Sequence, residues 1–122
     1  MKIKVLGGDF SVCKIKKIED VNFRDEFVFL SKTDEELSLV CKTQGVPAES
    51  LAAEHGWSGL RIEGELDFSL IGILSKIATV LADHKISIFA VSTYNTDYLF
   101  LKKVQLAEAV EALTESGYEI IS

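Results

Sequence analysis

Two short polar stretches carry the residue types from which this chain could build a binding site. In Glu65-Leu66-Asp67-Phe68-Ser69 two carboxylates and a hydroxyl precede an apolar pattern of helical spacing. The backbone amides of Ser69, Leu70, Ile71 and Gly72 are therefore expected at a helix N-terminus, where unpaired N–H groups and the helix dipole hold an anion such as a carboxylate. Glu65 and Asp67 beside them can hold a cation, and an anion next to a cation describes the two ends of an amino acid. Gly72 in the first turn costs about 1 kcal/mol relative to alanine. Close approach of a ligand to the backbone explains that choice, and so does a helix-packing contact. The second stretch, Ser92-Thr93-Tyr94-Asn95-Thr96-Asp97-Tyr98, is rich in hydroxyls, and Asp97 at the mouth of a cleft would attract an ammonium or guanidinium group. Each stretch also has a purely structural use. Asp67 or Ser69 can cap the helix with Glu65 in solvent, and the hydroxyls of the second can satisfy their own turn.

Little else points to chemistry. His55 and His84 are the only histidines. One precedes Gly56 and the other ends a helical pattern, as turn or cap residues do. No nucleophile stands with a base, no Cys/His spacing suits zinc, and Gly7-Gly8 is too short for a phosphate loop, so neither an enzyme nor a cofactor is expected. Cys13 and Cys41 sit in strand-like apolar text, where free thiols behave as small hydrophobes in a reducing compartment. A net charge of −6 opposes nucleic acid and anionic lipid. No apolar run reaches the length of a signal peptide or membrane span, which leads us to expect a cytoplasmic protein.

The elements that must position these residues are clearest in the second half. Leu60 to Gly64 alternates as a half-buried strand does, and Leu70, Ile73, Leu74, Ile77 and Leu81 recur at helical spacing. Ile86 to Val91 and Tyr98 to Val104 read as strands, Leu106 to Leu113 as a second helix closed by Gly117, and Tyr118 to Ile121 as a last strand. The order β-α-β-β-α-β is the α+β, ferredoxin-like unit, with both helices on one face of an antiparallel sheet. That topology brings the loop after the first strand and the hairpin after the second to one end of the sheet.

The first half echoes the second. Phe27 to Val40 and Ile88 to Leu101, 61 residues apart, each run from an apolar strand through a serine (Ser31, Ser92) and acidic or amide residues into another apolar strand. Two β-hairpins are expected, with Ser31 and Ser92 in comparable places. Phe10 to Lys16 reads as a strand, Ala48 to His55 after Pro47 as a short helix, and Lys2 to Leu6 as a hairpin partner of the strand at Phe10. Lys17 to Glu26 leaves room for a turn in place of a helix. The resulting division is a reduced half, 1–56, preceding a complete unit, 57–122, with the strand at Leu60 to Gly64 able to serve both.

Trp57 to Ile121 resembles the ACT domain, the small-molecule regulatory module of amino-acid metabolism. Ile86-Ser-Ile-Phe-Ala-Val-Ser-Thr-Tyr-Asn-Thr-Asp-Tyr98 is similar to the subgroup shared with the CASTOR arginine sensors and aspartate kinases, and Phe27 to Cys41 is similar to the other half of short bacterial tandem ACT proteins. The Pro-Gly common in the loop before the first helix is replaced here by Asp67-Phe68 and Ser69. The resemblance implies a non-enzymatic regulator that binds a small amino acid between ACT modules. It places ligand contacts at Glu65, Asp67, Phe68, Ser69, Leu70, Ile71, Gly72, Thr93, Tyr94, Thr96 and Asp97. The open sheet edges of such a chain lead us to expect a homodimer acting on a further, unidentified protein. The alternative from another class is a ligand-free interaction module of the same fold.

Overall fold

The computed structural model describes residues 1–63 and 72–122. Among these residues, eight strands and two α-helices follow one another as β1 (Lys2–Val5), β2 (Phe10–Lys14), β3 (Val28–Lys32), β4 (Leu37–Lys42), β5 (Ala52–Glu63), α1 (Ile73–Asp83), β6 (Ile88–Ser92), β7 (Asp97–Lys102), α2 (Leu106–Glu115) and β8 (Glu119–Ile121). Contacts group them into two units, Gly8–Trp57 in one and Met1–Gly7 with Ser58–Ser122 in the other. No helix among the described residues is long and apolar enough to cross a membrane.

The unit containing the C-terminus is a ferredoxin-like β-α-β-β-α-β arrangement, α+β in class. Alternation along its strands decides which side faces the helices. Leu60 and Ile62 of β5, Leu99 and Leu101 of β7 and Ile3 of β1 pack against Ile77 and Leu81 of α1 and Ala109 and Leu113 of α2. Each of these is almost wholly buried. Both helices therefore cover one face of the sheet. The sheet runs β8-β1-β5-β7-β6. Here the structure corrects the expected hairpin of Lys2 to Leu6 with the strand at Phe10. β1 instead pairs antiparallel with β5, Ile3 opposite Ile62, and parallel with β8, Ile3 beside Ile120. The reason is in the pattern: Ile3 and Val5 supply apolar side chains to the helix-covered core, while Gly7-Gly8 carries the chain away from it. The contacts thus divide the chain differently from 1–56 and 57–122 in two respects, since the first seven residues pack with the C-terminal unit and Trp57 with the other.

In the Gly8–Trp57 unit the order is β3-β4-β2-β5, again ferredoxin-like, but the helices are reduced to single 3₁₀ turns at Ile18–Asp20 and Thr43–Gly45. Its small core gathers Cys13, Ile15, Val21, Leu39 and Cys41. The other sheet face holds Phe10 edge-on to Phe27 at 6.0 Å, with the Lys42 ammonium 5.6 Å and 5.9 Å from the two rings. The expected helix at Ala48 to His55 is not formed. Ala52 to His55 belong to β5, where Ala52, Ala53 and Glu54 pair with Lys14, Cys13 and Val12 of β2. The ladder needs a fourth strand there, and that tertiary demand outweighs the helix propensity of Ala-Glu-Ser-Leu-Ala-Ala-Glu. Between Glu54 and Trp57 the strand carries one residue more than β2, a bulge that Gly56 accommodates at φ 84°. β5 gives Ala52–Trp57 to one unit and Ser58–Glu63 to the other, so the stretch from Leu60 expected to serve both halves belongs to one of them, and the residues before it make the link.

Both hairpins exist, but in a register that the echo missed by one residue. Lys32 pairs with Leu37 and Ser92 with Asp97, so the structural offset is 60 residues. A threonine fixes each turn: the Thr33 amide donates to the Glu36 carbonyl at 3.0 Å, and the Thr93 amide to the Thr96 carbonyl at 2.8 Å. Ser31 pairs with Ser38 one step inside its strand, whereas Ser92 closes its own.

Candidate functional site

Of the residues expected to line a site, Glu65, Asp67, Phe68, Ser69, Leu70 and Ile71 lie outside the described residues. Gly72 is described, and its role differs from the one expected. It is not in the first turn of α1 but at the N-cap, with φ 79° and ψ 11°, and among the described residues no side chain caps the helix. The left-handed backbone explains the glycine without a packing contact, since a Cβ built there would meet nothing within 4 Å. The Gly72 carbonyl takes the first intrahelical bond, from the Lys76 amide at 2.8 Å. The amides of Ile73, Leu74 and Ser75 consequently have no acceptor inside the helix, so its first turn starts three residues beyond the expected start at Leu70.

The hairpin residues Thr93, Tyr94, Thr96 and Asp97 come together at the tip joining β6 and β7. Asp97 is half-buried, and its Oδ1 accepts from the Ser92 hydroxyl at 2.5 Å across the last rung of the ladder. Thr93 Oγ1 donates to the Thr96 carbonyl at 3.0 Å. Thr96 Oγ1 reaches out of the turn and donates to the Ile62 carbonyl of β5 at 2.7 Å. This last bond matters most for geometry. It anchors the hairpin tip beside the end of β5, the end from which the chain proceeds toward Gly72 and α1. Tyr94 is 86% exposed.

Sequence reasoning passed over a neighbouring cluster. Arg61 Nη2 and Nε donate to Glu63 Oε1 at 2.9 and 3.2 Å. Glu63, and after it Tyr98, hold the Arg61 guanidinium still more firmly protonated than usual. Arg61 and Glu63 are two apart on one strand, so both point away from the helices. Their alternation with Leu60 and Ile62 was visible, but the partner on β7 was not.

The histidines divide. His84 ends α1, its Nδ1 3.0 Å from the Val80 carbonyl, as a cap residue. His55 lies in β5, not in a turn, and its Nδ1 is 2.6 Å from the buried Ser11 hydroxyl, which also meets Thr43 Oγ1 at 2.9 Å. Ser11 is wholly buried, so this chain of hydroxyls and imidazole satisfies polar groups beside the bulge.

Cys13 and Cys41 are free and buried. Burial raises the Cys13 thiol, and burial, then the neighbouring Cys13 and Asp25, push Cys41 up to about 12 from an ordinary 9.0. Between those values the unfolded chain loses the proton and the folded chain keeps it, so stability falls as pH rises above 9, with a slope approaching about 1.4 kcal/mol per pH unit. Below 9 both states hold the proton and the term is flat. Urea unfolding from pH 8 to 11 should show this decline, and Cys41→Ala should flatten it whatever its absolute stability. An unchanged slope in that variant assigns the decline to other groups.

With this geometry in place, comparison with known proteins defines the class. A family model described as the ACT domain matches residues 52–115, and the chain belongs to that family. No curated protein matches the chain. Among solved structures it is similar to a protein of Agrobacterium tumefaciens, with 27% identity and a TM-score of 0.88 over 98% of this chain and 91% of that one. A Vibrio cholerae protein of unknown function, described as a possible transport protein, matches at 24% identity and TM-score 0.72 over 93% and 88% of the two chains. The ligand-free regulatory subunit of aspartate kinase from Thermus thermophilus matches at 10% identity and TM-score 0.67 over 96% and 97%. At these last two identities the likeness is one of fold.

Proposed function

We propose that this chain is a non-enzymatic regulatory module that binds a small amino acid or related metabolite in the cytoplasm and reports it, as a homodimer, to a protein partner. The observation that carries this reading is the Thr96 to Ile62 bond, which fastens the hairpin bearing Asp97 at the end of β5 that leads to α1. A half-buried carboxylate and a helix N-terminus whose N-cap residue, Gly72, has no side chain then belong to the same end of the sheet, suited to the ammonium and carboxylate of one amino acid. Gly72 and, preceding it in sequence, Glu65, Asp67, Phe68, Ser69, Leu70 and Ile71 complete the proposed contacts, with Thr93, Tyr94 and Thr96 shaping the hairpin side. Membership of the ACT family and the fold shared with an aspartate kinase regulatory subunit support the regulatory role.

A second reading, a ligand-free interaction module, has its own support. The Thr93 and Thr96 hydroxyls already bond backbone carbonyls, and the unit without helices leaves Ile18, Phe23 and Leu51 exposed. Thermal unfolding in the presence of each proteinogenic amino acid separates the two. A sensor gains about 2.7 kcal/mol at a hundredfold excess over its Kd, which raises the midpoint by several degrees. If no amino acid moves the midpoint, the interaction module is the correct reading.

A further inference from the structure

The slot that β1 occupies is filled by a strand whose chain belongs elsewhere. β1 pairs with β5 through four residues and with β8 through three, and Ile3 is wholly buried in the helix-covered core. Immediately afterwards the chain crosses into the other unit. Leu6 is the last residue held on the near side, its amide donating to the Gly59 carbonyl at 2.9 Å, and Asp9 the first on the far side, its carbonyl accepting from the Thr43 amide at 2.9 Å. Only Gly7 and Gly8 lie between these two anchors. A side chain at Gly7 would meet nothing within 4 Å, and Gly8 takes φ 84°. The hinge is therefore made of the two residues best able to change their backbone angles.

The charges of the strand meet partners in this slot that a second copy would offer equally. β1 carries Lys2 and Lys4, in a chain of net charge −6. Lys2 stands opposite Glu63 on β5 and 3.7 Å from Glu119 on β8, whereas Lys4 stands opposite Arg61. The Lys2 end of the strand finds the same two carboxylates in a second copy as in its own.

We propose that β1 is an exchangeable strand, and that two copies of this chain dimerise by each placing β1 between β5 and β8 of the other. Every contact of the slot is then remade with identical partners, so the contact energies cancel and the balance is set by the hinge and by concentration. Because β8 pairs only with β1 among the described strands, exchange also ties the C-terminus of one copy to the N-terminus of the other.

The Lys2 to Glu119 ion pair supplies the test in the unmodified chain. Unlabelled and ¹⁵N-labelled protein are mixed in equal amounts, refolded together at high concentration and treated with a zero-length carbodiimide cross-linker. Mass spectrometry then reads the isotopes of the linked Lys2 and Glu119 peptides. Exchange yields mixed-isotope pairs, rising with concentration toward roughly half of all such links for random pairing. Only pure-isotope pairs at every concentration overturn the proposal, including when sedimentation shows a dimer, which then forms through another surface. If the cross-link itself is sparse, disulfide formation in the Lys2→Cys, Glu119→Cys double variant gives the same reading as an interchain or an intrachain bond. Deletion of Gly7 shortens the hinge so that β1 strains to reach its own slot, and the mixed fraction should rise severalfold. No rise removes the Gly7-Gly8 hinge from the proposal and overturns it.

Discussion

Ile3→Ala should cost this protein about 2 to 5 kcal/mol of unfolding free energy, a large share of the 5 to 15 typical of a domain. A side chain near the start of a chain is ordinarily free to change, but Ile3 has no exposed surface and packs with Leu60, Ile62, Leu99 and Leu113. Truncating it leaves a cavity bounded by two strands and a helix, which the paired ladder on both sides of β1 prevents from collapsing. Lys2→Ala one residue away is the contrast. Its ion pair with Glu119 spans 3.7 Å between side chains that are 60% and 63% exposed, so its loss should lie near the limit of measurement. Urea denaturation of the two variants reads both. Equal small effects would mean that β1 is peripheral to the core.

β1 also marks where the sequence could be read and where it could not. The strand itself was legible from Lys-Ile-Lys-Val, but not its partner, because a short strand before a Gly-Gly pair reads most simply as one arm of a local hairpin. Its true neighbours begin at Leu60 and Glu119, and nothing local encodes pairing at that separation. Ala48 to His55 failed for a related reason. Alanine and glutamate favour a helix, while the vacant position beside β2 calls for a strand. By contrast α1, α2 and both hairpins followed from periodicity and turn chemistry alone, since the contacts that decide them are near in sequence.

The hairpin echo shows how a correct element can carry a wrong correspondence. Matching serines and acids aligned Ser31 with Ser92 and Glu36 with Asp97. The ladder instead aligns Thr33 with Thr93 and Leu37 with Asp97, because the threonine that closes each turn sets the register. Thr33 Oγ1 accepts from the Glu35 and Glu36 amides at 3.1 and 3.2 Å, and Thr93 Oγ1 likewise accepts from the Thr96 amide at 3.4 Å. Side-chain likeness thus misled where backbone chemistry would have been the better guide. The consequence bears on function: the carboxylate at the foot of the second hairpin has an apolar counterpart, Leu37, in the first.

That difference makes Asp97 the sharpest probe of the proposed ligand. If an amino acid binds with its carboxylate toward the start of α1 and its positive end toward the hairpin, Asp97→Ala should weaken affinity by about thirtyfold or more, since loss of one member of a charge pair in a binding site costs about 2 to 5 kcal/mol. The fold should survive. Asp97 bonds only a solvent-exposed serine among its described hydrogen bonds, and the turn is held by Thr93 and by Thr96 to the Ile62 carbonyl. Asp97→Asn adds the decisive comparison, because it keeps an acceptor for Ser92 and removes the charge. A ligand held by its positive end should lose nearly as much affinity to asparagine as to alanine. If the asparagine variant binds like the parent while alanine does not, Asp97 acts by fixing the hairpin and the charge contact is wrong. If both bind like the parent in calorimetry, the ammonium lies elsewhere. Leu37→Asp offers the converse: the first unit has only three residues of 3₁₀ turn where α1 stands in the second, so a carboxylate placed at the equivalent rung should create no second site.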